Sequence, residues 1–304
     1  MEWTDLDDMN LFDTYMQYLV GEKAASPNTS AAYGRDLVDY LEFLEAEPPS
    51  YEEALAADHL TVRRYLMDLQ KRGFSKTSMA RKMSSLRSFY RFLVREELIE
   101  DNPLTLVSSP KENKKLPKFI HYEDLEGIFL LPDNSPAGLR DCAILEVLYG
   151  GGLRVSELCA LTLPHYLKSI HSLRVMGKGQ KERLIPLGSR AVAALDGYLQ
   201  RGRPALVKDE EIESIFLNQR NGHGLTRRAI QDIINKYVER MATNLKISPH
   251  MLRHSYATHM LENGADIRII QELLGHSRLS TTQIYTHITK SHMKEVYNHA
   301  HPRS

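Results

Sequence analysis

The sequence predicts a mainly α-helical protein with one small β-hairpin, organised as two domains. Three observations carry that prediction. Apolar residues recur at helical spacing through most of the chain and are punctuated by capping residues. One polar, basic stretch with two prolines, residues 109–118, interrupts the pattern. Two short apolar runs around a Gly-x-Gly turn break the helical rhythm once. Of 304 residues, 42% are hydrophobic and 26% charged, which is apolar material enough for proper cores in one to three domains.

The first 108 residues read as helices. Leu6 to Val20 is apolar at helical spacing. Ser26 and Pro27 form a cap and first-turn pair for a helix running through Tyr33, Leu37, Tyr40, Leu41 and Leu44, ended by Pro48 and Pro49. A third helix spans Thr61–Arg72 and stops at Gly73. A fourth follows Ser75, with Met79, Met83, Leu86, Phe89, Tyr90 and Leu93 on its apolar side. The expected opposite, solvated side carries Lys76, Arg81, Lys82, Arg87, Arg91 and Arg95. Residues 109–118 read as a linker, and 119–304 as a larger, mostly helical domain. Within it, Leu173–Met176 and Lys181–Leu187 flank Gly177-Lys-Gly-Gln as a hairpin with Lys178 at or near its tip, and helices resume at Ser189.

The formal net charge is zero, but its distribution is uneven. Residues 1–59 carry a net −12, residues 60–95 a net +9 and residues 111–304 a net +7. A basic block of that size is either a solvated helix face or an electrostatic footprint for nucleic acid. No run of about 18 apolar residues exists, so a membrane span is not expected. The acidic N-terminus has no signal-peptide pattern, and Cys142 and Cys159 sit in apolar surroundings as expected buried free thiols. A cytoplasmic, reducing location is the expectation.

The stretch Ser248–His287 is chemically the densest. His250 and Arg253 stand at H-x-x-R spacing after Pro249, which puts both on one helix face. His276 follows Leu274-Gly275, and Tyr285 comes nine residues later. Arginine grips phosphate oxygens in a bidentate fork, histidine shares protons near neutral pH, and a tyrosine hydroxyl can attack phosphorus. His254 and His259 invite a metal reading, but no cysteine is near and the Glu of H-E-x-x-H is missing. Arg154 lies in YGGGLRVSELCAL, where no Gly-Lys-Ser/Thr follows the glycines to make a P-loop; they read as a tight turn that starts a helix. Alone it reads as an arginine paired to a core carboxylate. Lys178, in GKGQKER, is alone a solvated turn lysine with Lys181 as competitor. Tyr285 is one of 15 tyrosines, with Tyr256 and Tyr297 as alternatives.

The strings GLRVSEL, GKGQKER and HMLRH, with LGHSRLSTTQIYTH, closely resemble the motifs of the tyrosine recombinases (phage integrase superfamily), in particular the Xer-type site-specific recombinases. The set Arg154, Lys178, His250, Arg253, His276 and Tyr285 is complete, and the resemblance covers nearly the whole chain. It implies a two-domain, C-shaped DNA clamp: a helical, SAM-like core-binding domain, with Lys76, Arg81, Lys82 and Arg87 toward DNA, and a tyrosine-recombinase catalytic domain. It implies DNA cutting and rejoining through a 3′-phosphotyrosyl intermediate. Tyr285 would be the nucleophile, His250 the proton acceptor and Lys178 the general acid, with Arg154, Arg253 and His276 on the phosphate. No metal or nucleotide cofactor is implied. The implied partners are double-stranded DNA at a dif-like site, a homo- or hetero-tetramer with a second Xer-type recombinase, and a septal DNA translocase. Strands would be exchanged through a Holliday junction to resolve chromosome dimers at cell division. Lys290–Ala300, with Met293, Val296 and Tyr297 at helical spacing, would dock on a neighbouring protomer. A phage or transposon integrase and a type IB topoisomerase are the nearest rival readings.

Overall fold

The computed structural model describes residues 10–23, 25–48, 51–108, 119–177, 182–241, 247–275 and 290–304. The chain divides into two compact units, Met1–Lys115 and Leu116–Ser304. The expected linker, 109–118, lies outside the described residues.

Unit 1 contains α1 (Leu11–Gly21), α2 (Pro27–Leu44), the short α3 (Glu52–Leu55), α4 (His59–Lys71) and α5 (Lys76–Arg95). The caps fall where the sequence puts them. Ser26 Oγ accepts from the Thr29 amide with Pro27 in the first turn, and Ser75 Oγ accepts from the Ser78 amide. Each cap satisfies an orphan donor and contributes about 1 kcal/mol. Asp58 caps α4, which therefore starts two residues earlier than expected, and Gly73 supplies the left-handed turn (φ 78°) after its end. Four fully buried tyrosines, Tyr15, Tyr40, Tyr65 and Tyr90, dominate the core. Tyr40 donates to the Tyr90 hydroxyl at 2.9 Å, and Tyr90 donates to the Ala54 carbonyl at 3.0 Å, so both phenols are satisfied without water.

The basic face of α5 differs from its expected form at Lys82, which is buried, and at Arg87, which is half-buried. Lys82 is 6% exposed, and its ammonium reaches Asp39 at 2.8 Å and Asp36 at 3.4 Å. Arg81 also pairs with Asp36, and Arg72 with Asp39 and Asp68. Burial raises the carboxyl pKa of Asp39, but hydrogen bonds from Lys82, Tyr65 and Arg72 outweigh it and hold it at about 2. Lys76 and Arg81 are exposed, while Arg87 is half-buried and donates to the Val107 carbonyl at 3.3 Å.

Unit 2 is built on α7 (Pro136–Gly150), whose residues from Ala143 to Gly150 are all buried. A helix covered on every face is a core helix. Around it lie α6 (Tyr122–Phe129), α8 (Val155–Cys159), α9 (Ser189–Gly197), α10 (Arg203–Leu206), α11 (Arg227–Arg240), α12 (Pro249–Glu262), α13 (Ile267–Leu274) and α14 (Lys290–Ala300). A π-helical turn at Tyr198–Gly202 joins α9 to α10. The hairpin is present as β2 (Ser172–Met176) against β3 (Glu182–Pro186), antiparallel, with Met176 opposite Glu182. A two-residue strand, β1 (Tyr166–Leu167), extends it to three strands and was not expected. Cys142 and Cys159 are free thiols but only half-buried.

The C-terminal segment packs on its own unit. Tyr297 is fully buried; its hydroxyl accepts from the Gly188 amide and donates to the Gly150 carbonyl, both at 2.9 Å. Arg303 forms a buried ion pair with Glu146. Tyr297 is therefore a core residue of this chain and not a free docking residue, while Met293 and Val296 pack partly buried against the same core.

Candidate active site

The site is assembled at the end of α13, from residues far apart in sequence. Gly151 and Gly152 end α7 rather than start a helix, and Arg154 is the N-cap of α8. Gly152 has φ 57°, and a Cβ there would stand 2.7 Å from the Tyr256 ring, so only glycine fits the turn. Three residues on, Glu157 reaches back to the Arg154 amide at 2.8 Å, which fixes the helix start, and accepts from Arg154 Nη1 at 2.7 Å. The bland reading of Arg154, a pairing with a core carboxylate, is thus true, and it does not use up the side chain. Arg154 remains 38% exposed, with donors left for a further anion.

Arg253 sits one turn into α12, which Ser248 caps and Pro249 opens. It is 8% exposed. Its Nη1 donates to the Gly152 carbonyl at 2.7 Å and its Nη2 to the Leu274 carbonyl at 2.5 Å. Burial, reinforced by the neighbouring charge of Arg154, pulls its pKa down to about 10, so it stays charged at neutral pH. His250 is exposed three residues earlier, on the same face of α12.

Sequence reasoning passed over two members of this cluster. Glu157 is buried and lies at the centre; its nearest oxygen is 3.8 Å from Arg253 Nη1. Arg183, on β3, donates to both Glu157 oxygens at 3.0 Å and to the Leu273 carbonyl at 3.1 Å. Burial opposes the charge on Glu157, but hydrogen bonds from Arg183 and Arg154 outweigh it and hold the carboxyl below its usual range. The i, i+3 spacing of Arg154 and Glu157 was a readable signal; nothing local pointed to Arg183.

The structure therefore brings together Arg154 and Arg253. Lys178, His276 and Tyr285 lie outside the described residues, as does Lys181. The alternatives to Tyr285 are settled differently: Tyr256 and Tyr297 are both fully buried in the core. Of the other histidines, His259 is 5% exposed and its Nδ1 is 2.8 Å from the Tyr149 hydroxyl, a core contact. Three guanidinium groups around one carboxylate leave positive charge unmatched, which is the electrostatics of a phosphate-binding site.

Comparison with known proteins agrees with that chemistry. A family model described as the phage integrase family matches residues 118–292, and one described as the phage integrase N-terminal SAM-like domain matches residues 12–97. A tyrosine recombinase XerC from Pelotomaculum thermopropionicum is 46% identical over 300 residues, covering 96% of this chain and 98% of the relative. Another XerC, from Oceanobacillus iheyensis, is 47% identical over 295 residues, covering 96% of each. Among solved structures, the Tn1549 transposon integrase in complex with transposon right end DNA superposes with a TM-score of 0.70 at 18% identity, covering 94% of this chain and 98% of that one. The XerH site-specific recombinase bound to palindromic difH substrate gives 0.65 at 22% identity, covering 93% and 83%. At those identities the two structures establish the fold, mainly helical with a small sheet and two integrase-like domains. No helix among the described residues is long and apolar enough to cross a membrane. The chain belongs to the phage integrase family, as a tyrosine recombinase closely matching the XerC type and a site-specific DNA-cleaving and rejoining enzyme.

Proposed function

We propose that this recombinase cleaves DNA with Tyr285 as nucleophile and, in the cytoplasm, resolves chromosome dimers to monomers at cell division. The observation that carries the catalytic part is the convergence of Arg154 and Arg253 on the end of α13, immediately before His276 in the sequence. A phosphodiester seated there meets two guanidinium groups on its non-bridging oxygens, where charge grows in the transition state. The Tyr285 oxygen bonds to phosphorus as the P–O5′ bond breaks. A free phenol has a pKa of about 10, so it needs a proton acceptor at neutral pH, and His250 takes that role. Lys178 delivers a proton to the departing 5′ oxygen, and His276 hydrogen-bonds the phosphate. A 5′-hydroxyl from a partner strand then reverses the step. The ester energy is conserved in the tyrosyl link, so neither metal nor nucleotide takes part.

The DNA partner is a duplex carrying a dif-like site, which the XerH relative binds as difH substrate. Lys76, Arg81 and Arg87 contact its backbone from unit 1. Four protomers, alike or mixed with a second Xer-type recombinase, exchange strands through a Holliday junction under a septal translocase. The test uses duplexes nicked beside the scissile phosphate so that the cut strand diffuses away. The chain, in excess chelator, is expected to yield a denaturation-resistant adduct on Tyr285, and Tyr285→Phe is expected to bind the same DNA without one. An adduct mapped to another residue, or persisting in Tyr285→Phe, overturns the assignment. A plasmid carrying two sites then tests resolution, which is expected only with the site and partner present.

A further inference from the structure

The role of Arg183 is unassigned by the family chemistry proposed above, yet its placement is specific. It is 11% exposed, and each of its three guanidinium nitrogens already has a protein acceptor. Its fork lies flat against Glu157, Nη1 to Oε1 and Nη2 to Oε2, both at 3.0 Å, while Nε holds the Leu273 carbonyl at 3.1 Å. The three carbonyls at the end of α13 are shared out in order. Leu273 accepts from Arg183, Leu274 from Arg253 at 2.5 Å, and Gly275 from Arg154 at 3.4 Å. Those carbonyls carry the negative end of the helix dipole, which suits three cations. Gly275 permits the approach: it has φ 64°, and a Cβ on it would stand 2.8 Å from Arg183 Nη1.

We infer that Arg183 is a positioning residue for DNA cleavage, occupying both Glu157 oxygens so that Arg154 and Arg253 keep donors free for the scissile phosphate. The argument is one of competition, and it rests on the proposed placement of that phosphate. A carboxylate offers two oxygens and about four lone-pair positions. With Arg183 in its fork, Glu157 holds Arg154 through one side-chain bond and leaves Arg253 at 3.8 Å. Without Arg183, the same carboxylate is free to fork Arg154 or close on Arg253, and it then competes with the substrate for the groups that stabilise its transition state. The end of α13 loses one of its three restraints at the same time.

The test compares the full-length chain with Arg183→Met and Arg183→Lys in single-turnover cleavage of nicked duplexes. One duplex carries an ordinary scissile phosphodiester, the other a methylphosphonate, which lacks one charged oxygen and so asks less of the arginines. Arg183→Met is expected to bind the duplex as the parent does and to cleave the phosphodiester about 10²-fold more slowly, the scale of a misplaced reacting group. On the methylphosphonate the deficit is expected to shrink to under about tenfold, because little charge is left to stabilise. Arg183→Lys, able to hold one carboxylate oxygen, is expected to recover part of the rate. Equal deficits on both substrates point to a purely structural role and overturn the inference, as does cleavage at the parent rate. If Arg183→Met melts without cooperativity, Arg183→Lys carries the same two-substrate comparison. A parent chain that forms no adduct on either DNA sinks the underlying reading; a working parent with an indifferent Arg183→Met sinks only this one.

Discussion

Both units gather basic side chains around buried or half-buried carboxylates, and they balance the charge differently. In unit 1, Arg72, Arg81 and Lys82 meet Asp36, Asp39 and Asp68, cation for anion. In unit 2, Arg154, Arg183 and Arg253 meet Glu157, and among the described residues no second carboxylate pairs with them. A balanced network has its charge matched without a ligand, and a half-exposed member such as Arg81 still keeps donors at the surface. An unbalanced one, half-buried where the local dielectric is low, has surplus positive charge that an anion such as a phosphate diester would offset. Under the proposed function, the same residue types do structural work in one place and chemical work in the other, and the count of carboxylates separates them.

The largest effect that could break this contrast comes from removing the surplus. Arg154→Ala or Arg253→Ala is expected to slow cleavage about 10²- to 10³-fold with site binding retained, as read by single-turnover assay and gel shift. Removing the carboxylates tests the other half. Glu157→Gln leaves three cations uncompensated and is expected to cost unit 2 about 3 kcal/mol in denaturant melts, in the range for a broken buried pair. Asp39→Asn is expected to cost unit 1 about 1 kcal/mol near neutral pH, because its carboxyl is held at about 2 by partners that water partly screens. The sign follows from that depression: the stabilisation is complete above pH of about 4 and disappears as pH falls through about 2. An Asp39→Asn loss that grew on acidification would contradict the network. The smallest effect sharpens the division within α5. Lys76→Ala is expected to reduce the salt slope of DNA binding by about one, the signature of a lost phosphate contact, whereas Lys82→Met destabilises unit 1 and leaves the slope alone. Equal slopes for the two variants would put Lys82 back on the DNA.

Much of the fold was legible because its signals are local. Ser26-Pro27 and Ser75 cap helices through groups three residues away, Pro249 marked the start of α12, and the Gly-x-Gly break marked the hairpin. The two-residue β1 is too short to carry a period, and the π-helical turn at Tyr198–Gly202 continues a helical pattern without changing it. Lys82 was misread by residue type. It lies three residues after Met79 and four before Leu86, on the apolar stripe, and only the carboxylates of α2 make that burial tolerable. In the site, Arg154 and Arg253 were visible as motif members. Arg183 was not, because its meaning arises from Glu157 and from a backbone carbonyl 90 residues away, which no side-chain pattern records.

That last contact has an evolutionary consequence. Arg183, Arg253 and Arg154 address α13 through its main chain, and a carbonyl is common to every residue. Side chains at positions 273 and 274 can drift as far as core packing allows without altering what the arginines hold. A single insertion or deletion within the helix cannot be absorbed in that way. It would turn the helix end by about 100° and advance it by about 1.5 Å, sending all three carbonyls away from their partners at once. The length of this eight-residue helix, more than its composition, is what selection has to guard.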